Sequence, residues 1–271
     1  MRFDSNQAWQ RAVASVSASR DVLWAVAGVF ILLPSLAFSL LFPQPEPSAD
    51  ASPEAMIAAM QAFYVEALPW FLPVALLQGV GTLTLLALLT DRRRPTVGEA
   101  IRTGAFALLS YIGAQLLLGL GIGLVGAVLV GLAAASGSGP VAALMMVLVG
   151  AVVIYAMVRT SLVAPVIVVE GQSSPVAALR RSWALTEGQA GRIGLFFLLL
   201  FVVAAVLLII VAGLFGVLAG LVASDHGAMV INALVSGVLG AGFSLYFVAV
   251  LAAVHRQLAG ADPGAAANIF E

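Results

Sequence analysis

Long runs without a charged side chain alternate with short polar connectors along this sequence. The uncharged runs cover residues 22–45, 67–90, 103–158, 193–224 and 226–255. A helix of about 20 apolar residues crosses a hydrocarbon core about 30 Å thick. Four runs therefore hold one span each. The third is long enough for two and is cut by Ser136-Gly137-Ser138-Gly139-Pro140, a cluster of helix-breaking residues. Six spans are predicted, at about 22–42, 67–90, 104–134, 141–160, 193–222 and 228–254. Their apolar stretches are continuous, whereas barrel strands alternate in segments of about ten residues. The expected fold class is an all-α polytopic membrane protein: a six-helix membrane domain over 22–258, an amphipathic segment over 1–21 and a tail over 259–271. The first apolar run exceeds the roughly 7–15 residues of a signal-peptide core and lacks a small-residue cleavage site, so it is read as a retained span.

Composition narrows the function classes. The chain is 62% hydrophobic and 9% charged, with a mean hydropathy of +1.10. Soluble domains carry about 25% charged residues. A water-soluble enzyme is thereby excluded, and so is a disordered chain, which needs low hydrophobicity. The formal net charge of −1 argues against a nucleic-acid partner. Without cysteine there is no disulfide, thiolate nucleophile or cysteine metal site.

All twelve cations are arginine, and six alternating spans place every one on the same side. Arg2, Arg11 and Arg20 precede span 1. Arg92, Arg93, Arg94 and Arg102 lie between spans 2 and 3. Arg159, Arg180, Arg181 and Arg192 lie between spans 4 and 5, and Arg256 follows span 6. The opposite side carries Glu46, Asp50, Glu54, Glu66 and Asp225. By the positive-inside rule the arginine side is cytoplasmic. The expectation is a multi-pass protein of a bacterial inner membrane with both termini in the cytoplasm. The acidic, proline-rich loop from 43 is expected to run extended before a short helix at 53–64, and the tail 260–271 to fray.

Each odd-numbered span follows a short amphipathic stretch. Trp9, Ala12, Val13 and Val16 share one face before span 1. Thr96 and Glu99 form a capping-box pattern before span 3. Before span 5, Ser174 is a cap candidate, Pro175 follows at the first helical position, and Val176, Leu179 and Trp183 share a face. Thr186 and Gln189 read as a further capping box opening span 5. The strings Ala8-Trp9-Gln10, Ala100-Ile101-Arg102 and Ala178-Leu179-Arg180 agree loosely. Three repeated units are one reading, each an interfacial helix plus a two-span hairpin. Chance amphipathicity of membrane-flanking linkers is the other.

Few residues offer chemistry. Gly121-Ile122-Gly123-Leu124-Val125-Gly126 matches GxGxxG but lies inside a span, not between a strand and a helix. Close packing is the better reading: Gly119 with Gly123, and Gly216 with Gly220, are small-xxx-small pairs expected at interior helix contacts. His226 and His255 fall on opposite sides and share no metal or catalytic dyad. Loop solvation and helix-end placement account for them. No catalytic residue, metal site or cofactor is assigned. Gln78, Gln115 and Asn232 are the strongest polar groups within spans, read either as interhelical hydrogen bonds or as a polar cavity. Arg159 reaches the headgroups by snorkelling. The apolar stretch 161–169 beyond it is expected to pack under the amphipathic helices, with Pro165 bending or ending span 4. Asp91, Glu99 and anionic lipid phosphate are the partners considered for Arg159; a pair with Glu170 requires a break near Pro165.

The segment 159–198 resembles a pattern in the membrane domain of glycerophosphoryl diester phosphodiesterases and related bacterial inner-membrane families. The shared elements are Arg159, Pro165, Glu170, Ser174 or Pro175, Ala178-Leu179-Arg180-Arg181-Ser182-Trp183, Leu185-Thr186 and Gly188. In that family the phosphodiesterase chemistry belongs to a separate soluble barrel, and this sequence has no long soluble segment. The resemblance thus implies a membrane module without the catalytic domain, and work related to lipid.

The functional expectation is a non-enzymatic inner-membrane protein acting in envelope organisation or lipid homeostasis. Its expected partners are anionic lipid headgroups at the cytoplasmic face, met by Arg92, Arg93, Arg94, Arg159, Arg180, Arg181, Trp183 and Arg192, together with a second copy or another membrane protein. The alternative is a transporter for a lipid-like or small amphipathic molecule, its cavity lined by Gln78, Gln115 and Asn232. An intramembrane enzyme ranks last.

Overall fold

The computed structural model describes residues 3–43, 52–91, 95–222 and 224–260. Among these there is no strand. Six helices are long and apolar enough to cross a membrane: Arg20–Leu41, Glu54–Thr90, Val97–Ser136, Gly139–Val169, Ala190–Leu221 and His226–Ala259. They match the six expected spans and make the chain an all-α, multi-pass membrane protein. In order, the helices are α1 (Ser5–Ala18), α2 (Arg20–Ala27), α3 (Leu33–Leu41), α4 (Pro53–Thr90), α5 (Val97–Ser136), α6 (Gly139–Thr160), α7 (Val163–Val169), α8 (Pro175–Leu185), α9 (Ala190–Val222) and α10 (Asp225–Ala259).

Three helix starts share a local code. Asp4 Oδ1 accepts from the Gln7 amide at 3.0 Å, Thr96 Oγ1 from Glu99 at 3.3 Å and Ser174 Oγ from Ala177 at 3.4 Å. Each bond satisfies an amide with no partner inside the helix. Four residues after each cap stand Ala8, Ala100 and Ala178, all fully buried. Eight residues after it stand Ala12, Gly104 and Ser182, also buried. Positions four apart lie on one helix face. Small residues on that stripe let all three helices sit close to their neighbours.

The middle member is not a separate interfacial helix. The Thr96 capping box opens α5 directly, and α5 runs unbroken for 40 residues. Only α1 and α8 stand apart from the spans they precede. The capping box expected at Thr186 does not form. Thr186 is fully buried, and its hydroxyl contacts the Ser182 carbonyl at 3.0 Å and that of Arg159 at 3.3 Å. Gln189 Oε1 instead accepts the amide of Phe3 at 3.0 Å. Gly188, at φ +69°, turns the chain into α9.

The short helix expected at 53–64 is the opening of α4, capped by Ser52, whose hydroxyl accepts from Ala55. At 38 residues α4 is about 57 Å long, well beyond a hydrocarbon core. Pro69 and Pro73 sit inside it without ending it. In the first span a π-helical turn over Gly28–Leu32 precedes α3. Pro34 has no amide to offer the Phe30 carbonyl, so the helix widens by one residue ahead of it.

Beyond α6 the chain breaks at 161–162 and re-enters the bundle as α7. Val163, Ala164, Pro165, Val166 and Ile167 are all buried. Pro165 lies in the first turn of α7, where its missing amide costs little. This short helix packs on α4, α5, α8 and α10, as expected for an apolar stretch too short to span.

The buried core gathers at the arginine-bearing end. It joins Ala8, Val16, Leu23, Leu86, α7, Ala178, Ile193 and the last third of α10. Half of α10's most apolar window is buried, against none of α5's, which makes α10 the axis and α5 a peripheral helix. The expected interior glycine faces are overturned. A Cβ on Gly119, Gly123, Gly216 or Gly220 would meet nothing within 4 Å. Their spacing gives α5 and α9 smooth outer faces, and no helix among the described residues lies against them. Packing glycines lie elsewhere. Gly79 faces Leu108, Gly81 faces Phe30, Gly113 faces Pro175 and Gly237 faces Leu32.

Candidate functional site

The end of α6, the connector through α7 and the helices α8 and α10 converge on one polar knot. Its centre is Glu170, just past α7. The Glu170 carboxylate accepts from Arg181 Nε at 3.0 Å and lies 2.9 Å from His255 Nε2. His255 is buried, and Glu170 and Arg181 are partly exposed. The carboxylate thus ties α8 to α10, and its contact with His255 spans 85 residues of sequence. Charge-assisted bonds of this kind are stronger than neutral ones, and removing the carboxylate would strand its partners. The reading of His255 as a mere helix-end residue missed this pair. The available signal was the histidine itself, one of only two in the sequence. The neighbouring Arg256 donates from Nη2 to the Leu89 carbonyl at 3.3 Å, fastening α10 to the end of α4.

Arg159 occupies the last turn of α6 in a different way. It is only 5% exposed. Its guanidinium lies 4.6 Å from the ring centre of Trp183 and 5.8 Å from that of Tyr155, which meet each other edge to face. Arg159 forms no ion pair among the described residues, and its Nε has no hydrogen-bond partner. The pairs considered with Asp91 and Glu99 are therefore not made, and although the chain does break before α7, Arg159 does not pair with Glu170 either. Glu99 is engaged by Thr96, and Glu170 by Arg181 and His255. The backbone is held separately: Ser182 Oγ donates to the Arg159 carbonyl at 2.9 Å. Cation–π contacts stabilise by about 0.5–2 kcal/mol but supply no acceptor for the guanidinium hydrogens.

Arg180 and Arg192 are exposed at the same end, and Trp183 is 40% exposed. Arg192 borders a cleft of about 550 Å³ with Phe3 and Phe196. Arg92, Arg93 and Arg94 lie outside the described residues, as does the tail from 261.

The three span-internal amides are not brought together. Gln78 Nε2 donates to Ser35 Oγ at 2.9 Å, joining α4 to α3. Gln115 Nε2 donates to the Tyr111 hydroxyl one turn earlier on α5. Asn232 is exposed on α10. The cavity expected from their convergence is not built by these residues. His226, at the opposite end of α10, is far along the helix from His255, and no three metal-ligating side chains cluster among the described residues.

Comparison with protein-family models, characterised proteins and solved structures finds no match to this chain.

Proposed function

We propose that this protein is a non-enzymatic inner-membrane module, both termini cytoplasmic, that engages anionic lipid at its arginine end in the service of envelope organisation or lipid homeostasis. One observation carries the reading. Arg11, Arg102, Arg159, Arg180 and Arg192 share one end of the bundle and form no ion pair among the described residues. An anionic leaflet attracts each such cation by about 1 kcal/mol. Aromatic placement supports the level. On α4, residues 70–90 rise about 30 Å, from exposed Trp70 to the arginine end, which is the thickness of a hydrocarbon core. Trp9, Trp24 and Trp183 stand half-exposed at that end, as belt residues do. The resemblance of 159–198 to a lipid-related membrane domain agrees with this reading.

The absence of cysteine makes a direct test simple. In intact cells an impermeant maleimide should label Ser138→Cys and Ser224→Cys, and should reach Ser173→Cys only after the membrane is opened. The reverse pattern would invert the orientation. In mildly extracted protein, anionic lipid should be enriched over the bulk membrane, and Arg102→Gln with Arg192→Gln should lower that enrichment. Unchanged lipid content would overturn the lipid reading.

A further inference from the structure

We propose that the seam between α5, α6 and α8 is a binding site for one anionic phospholipid, with the phosphate at Arg180 and Arg159 and an acyl chain laid between α5 and α6. The proposal rests on the reading of the arginine end as lipid-facing and gives it a defined site.

The seam is a groove of about 370 Å³. Leu118, Ile122, Val125 and Val152 make its length apolar, and Arg180 and Trp183 rim the arginine end. From Thr160 to Val152 on α6 it runs about 12 Å along the helix axis, as it does from Leu117 to Val125 on α5. Gly121 keeps the floor low, since a Cβ there would meet nothing within 4 Å. The Thr160 hydroxyl already donates to the Ala156 carbonyl, which leaves Arg180 as the free polar group on the rim.

The second observation is Arg159. It is nineteen-twentieths buried and has no acceptor on Nε. On the α6 wheel it falls about 20° from Val152, at the edge of the arc that Val152, Ala156 and Thr160 turn to the groove, and behind Trp183 at the groove's charged end. Trp183 belongs to both: it walls the groove and stacks on the guanidinium. A buried cation without an acceptor is costly, and guanidinium forks match phosphate oxygens. A free phosphate would leave the apolar length empty, and a neutral lipid would leave Arg159 without its acceptor. Only an anion carrying a hydrocarbon chain answers both. The larger cleft of about 570 Å³ between Trp9, Trp24, α9 and α10 has no charged side chain on its walls and lacks this pairing.

The test uses the full chain in phosphatidylcholine nanodiscs holding a minor share of phosphatidylglycerol. Trp9, Trp24 and Trp70 are changed to Phe so that Trp183 alone emits. Phosphatidylglycerol with brominated chains should quench Trp183 more strongly than brominated phosphatidylcholine at the same share. Gly121→Leu fills the groove at a position with open space around it, and should reduce this preference about tenfold without lowering the melting temperature. Arg159→Lys keeps the charge but loses the planar fork, and should reduce it similarly. Equal quenching by the two lipids, or a preference that survives Gly121→Leu, overturns the site. Displacement of the preference by millimolar inorganic phosphate overturns the lipid as ligand. If Gly121→Leu has no effect while the Arg102 and Arg192 substitutions still deplete anionic lipid, the groove falls and the rim reading stands. If neither responds, both fall.

Discussion

At Gly104 a Cβ would come within 2.7 Å of Thr84 Oγ1 and 2.9 Å of the Thr84 amide nitrogen. At Gly123 it would meet nothing within 4 Å. Both glycines lie in α5, and nothing local distinguishes them. We predict that Gly104→Ala lowers stability by about 1–3 kcal/mol through overpacking against backbone. Gly123→Ala should be neutral or stabilising, because alanine is the better helix former by up to about 1 kcal/mol. Thermal melting in detergent compares the two, and equal shifts would refute the packing assignment. The same pair shows the limit of reading residues from sequence. Small-xxx-small spacing identifies a face that permits close approach, but whether a helix occupies it is decided by residues far along the chain. Glu170 and His255 make the point for charge. The apolar stretch 161–169 pointed to α7 packing into the bundle, but which side chains Glu170 would then meet depends on α8 and α10, far along the chain.

Helix starts were legible because caps are local chemistry. Ser174 with Pro175, and Thr96 with Glu99, lie within four residues of the amides they serve. Ser174→Ala should destabilise the protein by about 1 kcal/mol, and Ser174→Asp should restore most of it, since both side chains offer an acceptor to the Ala177 amide. Chemical unfolding followed by tryptophan emission measures this. A Ser174→Ala protein as stable as the parent would mean that packing alone fixes α8. Helix ends were less legible. Pro69 and Pro73 do not stop α4, because prolines within membrane helices are tolerated where neighbours or local adjustment satisfy the freed carbonyls. The Thr186 pattern failed because its side chain turns back into α8 and the end of α6, where the hydroxyl donates to the Ser182 and Arg159 carbonyls, while Gln189 is drawn to the Phe3 amide.

For the molecule as a whole, hydropathy sufficed for six spans. The position of the core was not encoded in it. It follows from the small-residue stripes of α1, α5 and α8 and from the burial of α7, which concentrate tight contacts at one end. Elsewhere the spans separate and present leucine and valine outward. The opening of α4 is the extreme of this gradient, for no residue between Glu54 and Glu66 is buried. A lone helix of that length in water is only marginally stable. Its amides should therefore exchange with solvent deuterium through frequent local opening, at nearly the rate of an unstructured peptide, while those of residues 83–87 on the same helix resist for as long as the whole protein stays folded. Peptide-resolved exchange in nanodiscs would show this contrast, and uniform protection along α4 would mean that something outside this chain braces its first turns.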